Sequence, residues 1–365
     1  MFGTILTVIT TCMQIYVFWR LCSVRIVRKH VSLNVIIAAG VALWAIFLFG
    51  RSAGHDQVGT LYQILEFFAM NWIASLFLIS VSLLLIDIVT LFGFILPQYS
   101  SRLRGWALIT GIVLSVFALI QGLRSPVISE YEVVLPNLPK TLDGTVAVAL
   151  SDLHLGSLIG KEWLKDRIIQ VKEQKPDIIL FLGDVFEGHG ASEEQFITLF
   201  KQLSAPLGVW AVSGNHDYHR NNEPDLLEKA GFRLLKNEWV EISPGFFLSG
   251  VENLSRRSRN TNEDDPIAKA LSDLPAGATI FLSHIPWYAE RISEAGVGLM
   301  LSGHTHGGQV WPFKYLELSR YPLMEGRYEV NGMTVLVCRG TGTWGPRMRL
   351  WKPGEILRIT LRVVK

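Results

Sequence analysis

Val146-Ala147-Val148-Ala149-Leu150-Ser151-Asp152-Leu153-His154 is an apolar run that ends in an acid and an imidazole. A short apolar run bounded by polar residues reads as a fully buried strand, which delivers the polar pair at its C-terminal end. The pattern recurs downstream. Ile178–Leu182 runs into Gly183-Asp184, and Val209–Val212 into Ser213-Gly214-Asn215-His216-Asp217. Thr279–Leu282 is followed by Ser283-His284, and Gly298–Leu301 by Gly303-His304-Thr305-His306. Open α/β sheets place ligand sites outside the carboxyl ends of their strands. Five successive segments therefore carry carboxylate, amide and imidazole to the place where such folds do chemistry.

The residue types suit a pair of divalent ions. Two adjacent metals need oxygen and nitrogen donors and one group to bridge them. An Asp carboxylate has two oxygens for bridging, while neutral imidazoles and an Asn carbonyl bind without cancelling the metal charge. The centre stays electropositive and suits an anionic phosphate. Glycines at Gly183, Gly214 and Gly303 let the backbone turn tightly beside the ions. Any one Asp-x-His or Gly-Asp pair is common, and a buried His is more often a core residue than a ligand. Five such pieces in order, each ending a strand, make coincidence untenable.

The set Asp152-Leu153-His154, Gly183-Asp184, Gly214-Asn215-His216-Asp217, His284 and Gly303-His304-Thr305-His306 resembles the calcineurin-like metallophosphoesterases. The longer string Gly303-His304-Thr305-His306-Gly307-Gly308-Gln309 is similar to a bacterial subgroup that is often membrane-attached. The resemblance covers roughly residues 145–365 and implies two stacked mixed sheets flanked by helices. It also implies a ligand set: Asp152, His154, Asp184 and His306 for one metal, and Asp184, Asn215, His284 and His304 for the other, with Asp184 bridging. His216 is then the general acid that contacts phosphate and protonates the leaving oxygen, and Asp217 its orienting partner. The implied reaction is hydrolysis of a phosphate ester or diphosphate by a dimetal-activated hydroxide. The ions are Mn, Fe or Zn, with Mn placed first.

The rest of the C-terminal region agrees with an α/β domain. Lys161–Glu173 and Glu193–Leu203 have helical spacing, and Phe246–Leu248 is a further strand. Tyr328–Val330 and Thr334–Val337 flank Asn331-Gly332, a strong hairpin signal, and Ile356–Val363 closes the domain as a strand.

Of the 365 residues, 49% are hydrophobic and mean hydropathy is positive, with the excess lying before residue 125. Apolar runs at 2–19, 31–50, 61–97 and 106–123 are each long enough to cross roughly 30 Å of hydrocarbon, which predicts an all-α, four-span transmembrane region. A cleaved signal peptide is the competing reading of the first run, but Arg20, Arg25, Arg28 and Lys29 follow it and do not precede it. Those four residues lie in the first connection, and Arg102 and Arg104 in the third, on the same side of a four-span arrangement. The positive-inside rule makes that side cytoplasmic, so the C-terminal domain is expected outside the cytoplasm, anchored in a plasma or inner membrane. Asp87 and Glu66 sit deep in the apolar runs, either as functional groups or, the plainer reading, in helix–helix hydrogen bonds or at the interface.

The expected organisation is a transmembrane domain over 1–124, a connector over 125–144 that includes a leading strand, and a metallophosphoesterase domain over 145–365. The formal charge of +2 and the lack of a polybasic tail give no sign of nucleic acid. Cys12, Cys22 and Cys338 leave one thiol in the later domain, too few for a disulfide within it. The expected partners are the bilayer and a phosphorylated, lipid-linked substrate, because a tethered enzyme meets lipids at high local concentration.

Four features bear on substrate choice. Leu254-Ser255-Arg256-Arg257-Ser258-Arg259 is either a phosphate-binding loop or a solvated one balanced by Glu263, Asp264 and Asp265. His189 and His219 follow motif segments closely and either face the site or, the plainer reading, lie at the surface. Trp311-Pro312-Phe313-Lys314-Tyr315-Leu316 could face an acyl chain or the bilayer, or pack in the ordinary way, and Arg339–Gly345 reads as a glycine-rich loop near the metals. The rival function is a non-catalytic membrane scaffold that uses the fold as a binding module. Such modules usually lose ligands, whereas this chain retains every one.

Overall fold

The computed structural model describes residues 2–53, 59–187, 194–217, 226–252, 254 and 265–364. Contacts divide the chain into two compact units, Met1–Arg124 with Gly345–Lys352, and Ser125–Trp344 with Pro353–Lys365.

The first unit is helical. Its helices are α1 (Phe2–Cys22), α2 (Arg25–His30), α3 (Leu33–Ala53), α4 (Thr60–Val89) and α5 (Pro97–Leu123). Among the described residues, α1, α3, α4 and α5 are long and apolar enough to cross a membrane. α4 has 30 residues, about 45 Å at the helical rise, longer than the ~30 Å hydrocarbon core of a bilayer. It ends where Phe92 and Leu96 take left-handed φ values of 58° and 57°. α5 then starts with Pro97 in its first turn, ahead of the apolar run, because the polar residues 98–104 continue the helix.

Asp87, fully buried on α4, explains part of the packing. Its carboxylate meets Arg20 Nε of α1 at 2.6 Å and Arg104 Nε of α5 at 3.0 Å, and accepts from Tyr16 Oη at 2.6 Å. Arg20 and Arg104, expected as loop charges, are therefore buried ion-pair partners that tie three helices together. The plainer reading of Asp87 is the one the structure bears out. Residues 345–352 pack on α5, where Arg349 N donates to Ala118 O at 2.8 Å.

The second unit has two six-stranded mixed sheets. The first runs in the order β1 (Val127–Val134), β12 (Glu355–Arg362), β2 (Val146–Leu150), β3 (Ile178–Leu182), β4 (Val209–Val212), β5 (Arg233–Leu234). The second runs β10 (Gly326–Val330), β11 (Met333–Val337), β9 (Leu299–Ser302), β8 (Ala278–Leu282), β7 (Phe246–Gly250), β6 (Glu238–Ser243). β12 is antiparallel to β2, and the β10–β11 and β6–β7 pairs are antiparallel, while the central strands run parallel. The helices are α6 (Lys161–Glu173), α7 (Glu194–Phe200), α8 (Leu226–Lys229), α9 (Pro266–Ala270), α10 (Ala289–Glu294) and α11 (Lys314–Glu317).

Strand periodicity explains the layering. Ala147, Ala149, Leu180 and Leu182 face Leu248, Ile280, Leu282 and Leu301 in the core between the sheets. Their neighbours Val148, Leu150, Ile179 and Phe181 turn outward onto Leu164, Ile168, Phe196 and Phe200. On the far side Phe281, Met300 and Val335 pack under Ile267 and Ile292. Strands buried on both faces read as continuous apolar runs, as the sequence does. β1, within the segment expected as a connector, pairs in parallel with β12 along its length. The carboxyl ends of β2, β3, β4, β8 and β9 open toward one place.

Candidate metal centre

Asp152 and His154 leave β2, Asp184 leaves β3, Asn215, His216 and Asp217 leave β4, His284 leaves β8, and His304 and His306 leave β9. Asp152, His154, Asp184, His304 and His306 all have left-handed φ, between 49° and 72°. Asp and His tolerate this conformation better than most residues, yet it costs of order 1–3 kcal/mol each and persists only where the surroundings hold it. Here neighbouring strands hold it: Asp152 N donates to Gly183 O at 3.0 Å, and His154 N to Asp184 O at 3.1 Å. Glycine is required at Gly303, where a Cβ would lie 1.7 Å from Ser151 Oγ, and at Gly214, where it would lie 2.1 Å from Asp184 Oδ1.

The side chains meet as two joined clusters. His306 Nε2 lies 3.4 Å from Asp152 Oδ1 and 3.2 Å from His154 Nε2. His284 Nε2 lies 3.2 Å from Asp184 Oδ2 and 3.1 Å from His304 Nδ1. Asp184 joins them, because the same Oδ2 is 3.8 Å from His154 Nε2. Asp152–His154–His306 and Asp184–His284–His304 each present ligand atoms close enough to share one ion, and so do His154–Asp184–His216.

Three observations fit metals at this place. Asp152 Oδ1 and Asn215 Oδ1 are buried with no hydrogen-bond partner among the described residues, an arrangement that is costly without a cation. Pairs of imidazole nitrogens converge on the same space, His154 with His306 at 3.2 Å and His284 with His304 at 3.1 Å. The outward nitrogens are tied elsewhere: His154 Nδ1 to Glu187 Oε2 at 2.5 Å and His284 Nδ1 to Leu182 O at 2.8 Å. Metal-ligating histidines are usually held this way, with the outward N–H donated to a carboxylate or carbonyl.

The electrostatics follow the same geometry. Burial pushes the His284 and His154 imidazoles down, but Asp184, Asp152 and, for His154, Glu187 outweigh it. They rise to about 10 and about 9 respectively. Burial pushes Asp184 up, yet His284 and His154 hold it well below the carboxylate range. Asp152, buried beside Asp184, goes up. His304 falls to about 3, through burial and then the neighbouring His284. The carboxylates thus favour the protonated form of His154 and His284.

Asp217 has partners other than the imidazole expected for it. Its Oδ1 accepts from Val185 N at 3.0 Å and Phe186 N at 3.1 Å, and its Oδ2 from Asp184 N at 2.9 Å and Gly214 N at 2.8 Å. It staples the β3 and β4 turns together. Glu187 Oε1 lies beside the His216 ring, 3.7 Å from Nδ1. Sequence reasoning does not single out Glu187 or Tyr321, and includes Trp344 only as a member of the Arg339–Gly345 loop. Tyr321 Oη lies 2.8 Å from His304 Nε2, and Trp344 meets the His216 ring edge-on at 6.1 Å. Only Glu187 had a usable signal, its position three residues after Asp184. The glycine-rich loop lies where it was expected: Thr341 N donates to Ser151 O at 2.7 Å and Gly342 N to Asp152 O at 3.0 Å. Arg256, Arg257, Arg259, His189 and His219 lie outside the described residues.

Residues 146–308 match the model of the family described as calcineurin-like phosphoesterase. The chain is 32% identical over 261 residues to an uncharacterised metallophosphoesterase of Campylobacter jejuni, an alignment covering 69% of this chain and 68% of that one. It is also 32% identical to an uncharacterised metallophosphoesterase of Aquifex aeolicus, over 64% of this chain and 91% of the other. A Danio rerio protein named as a transmembrane protein with a metallophosphoesterase domain is 31% identical, over 70% of this chain and 62% of its own length, so the match spans less than two thirds of that relative. With its two mixed sheets and its Asp–His clusters at their carboxyl edge, the chain belongs to the calcineurin-like metallophosphoesterases.

Proposed function

We propose that the protein is a multi-pass membrane phosphoesterase whose catalytic domain lies outside the cytoplasm and acts on an amphiphilic, lipid-linked phosphate ester or diphosphate. Two divalent ions of Mn, Fe or Zn would bind, the first at Asp152, His154, Asp184 and His306, the second at Asp184, Asn215, His284 and His304. The observation that carries this is Asp184 Oδ2, placed within 3.2 Å of His284 Nε2 and 3.8 Å of His154 Nε2, one oxygen facing both clusters. When bound, such ions activate water and take up charge from phosphate oxygens.

The chain's own residues do the rest. His216, on the rim between Glu187 and Trp344, protonates the leaving oxygen, a role worth ~10²–10⁴-fold in such reactions. Asp217 fixes the β3 and β4 turns that carry Asp184, Asn215 and His216. The domain limits we adopt are 1–124 for the membrane region, 125–144 for the connector and 145–365 for the catalytic domain.

An amphiphilic substrate is supported by Phe313, Tyr315 and Leu316, all exposed around α11, the helix that packs against the His306 turn. The orientation is supported by charge. Arg25, Arg28, Lys29 and Arg102 remain exposed, and Arg25 N donates to Ser101 Oγ at 2.8 Å, so the first and third connections share one end of the helical unit. The test is phosphate release by the detergent-solubilised protein from lipid mono- and diphosphates set beside soluble mono- and diesters. Preference for the lipid esters is expected; turnover of soluble esters alone would reject the lipid assignment.

A further inference from the structure

We infer that Tyr321 is a positioning residue of the metal centre, its hydroxyl fixing which nitrogen of His304 faces the ions. The inference rests on the reading of His304 as a ligand and adds a residue beyond the 146–308 segment that defines the family match.

His304 is turned the opposite way from its neighbours. His154 and His284 tie back Nδ1 and present Nε2. His304 ties back Nε2, to Tyr321 Oη at 2.8 Å, and presents Nδ1 to the cluster, 3.1 Å from His284 Nε2. A neutral imidazole has one N–H and one lone pair, and only the nitrogen with the lone pair can ligate. When Tyr321 Oη accepts Nε2–H, the lone pair lies on Nδ1, facing the cluster. A phenol can also donate, so what the hydroxyl supplies is an acceptor for Nε2–H in the ligating form of the ring, and without it that form loses its partner.

The hydroxyl is held in place. Tyr321 is 5% exposed, and its ring stacks on Trp287 at 5.7 Å with planes 12° apart and meets the His304 ring edge-on at 4.9 Å. The Arg320 guanidinium covers the same pair, 5.5 Å from the Tyr321 ring and 6.0 Å from that of Trp287. Trp287 Nε1 in turn donates to Arg320 O at 3.4 Å. A stack of two rings and a cation serves little purpose under a residue that merely fills space, but it does define where a phenol oxygen sits.

The test is calorimetric titration of the chelator-stripped full-length protein with Co²⁺ in detergent, for wild type, Tyr321→Phe and His304→Ala. Wild type should bind in two steps. Tyr321→Phe keeps the ring and should weaken one step by about 10–100-fold, the range for outer partners of metal-bound histidines. That step should be the one His304→Ala abolishes, with the other step and the melting temperature of the metal-free protein unchanged. Equal affinities for Tyr321→Phe and wild type overturn the inference while leaving the ligand reading intact. Equal weakening of both steps, or a lowered metal-free melting temperature, overturns it in favour of a structural role. His304→Ala with both steps preserved removes the ligand reading, and the inference with it.

Discussion

Asp217 offers the clearest contrast between two roles for one residue. As an orienting partner of His216 it would matter for turnover alone; as a staple it matters for the shape of the site before any substrate binds. Its two oxygens take four backbone N–H groups, at 2.8, 2.9, 3.0 and 3.1 Å. Hydrogen bonds to charged groups contribute about 1.5–3 kcal/mol each. The residue is only partly buried, so water entering the space left by Asp217→Ala would satisfy some of the amides. Counting two of the four as lost gives about 3–6 kcal/mol. Asp217→Asn keeps one oxygen for one pair of amides and turns an NH₂ toward the other pair, so it should lose at least half as much. Hydrogen exchange in chelator should show the amides of Asp184, Val185, Phe186 and Gly214 exchanging about 10²–10⁴-fold faster in Asp217→Ala, with metal affinity reduced in parallel. Unchanged protection of those amides with turnover lost would refute the staple and restore the orienting role.

Proton competition sets a second expectation. His154 and His284 stand at about 9 and about 10 without metal, so metal binding must expel their protons, and apparent affinity should rise by up to about tenfold per proton per pH unit between pH 6 and 9. Calorimetry in buffers of different ionisation enthalpy would check this, and affinity flat over that range would contradict it. The metal-free fold has the opposite pH dependence. Folded-state values raised above the usual ~6.5 stabilise fully below that pH, and the stabilisation is lost as pH rises through about 9 and 10. Gly303→Ala, whose Cβ would lie 1.7 Å from Ser151 Oγ and 2.6 Å from Asp152 Oδ2, should lose bound metal by elemental analysis, while Gly160→Ala, with open space at its Cβ, should retain it. Asp87→Ala leaves Arg20 and Arg104 buried without their acid. It should cost about 3–5 kcal/mol, read as a lower melting temperature in detergent; a wild-type melting temperature would show that the triad does not stabilise the bundle.

The candidate ligands were legible because each follows a strand whose apolar run is unmistakable, and because Asp, Asn and His are the side chains that combine metal donors with tolerance of tight turns. The central strands were legible for the same reason, since strands buried on both faces carry no alternation to mislead, whereas their division into two sheets came from the family resemblance and the edge strands β5 and β6 carry no such signal. What escaped was set by tertiary approach. Tyr321 reaches His304 across a turn, and Trp344 reaches His216 from a loop after β11. No spacing announces either contact. The motif points Asp217 at His216, but three of the four amides it binds, those of Asp184, Val185 and Phe186, belong to a segment far from it in sequence. Arg20 and Arg104 read as loop charges because a one-dimensional pattern cannot tell a connection from a helix end turned inward toward Asp87. The start of α5 moved for a related reason: polar residues at 98–104 continue a helix that hydropathy alone would begin later.

The most direct test of the dimetal centre is metal content against turnover. Chelator-stripped full-length protein would be reloaded with Mn²⁺ in steps, with bound metal measured by elemental analysis and phosphate release measured on a chromogenic ester beside a lipid phosphate. The account predicts two ions per chain, turnover that appears only as the second is taken up, and loss of both in Asp184→Asn. Saturation at one ion or none, or turnover that survives complete removal of metal, would contradict it.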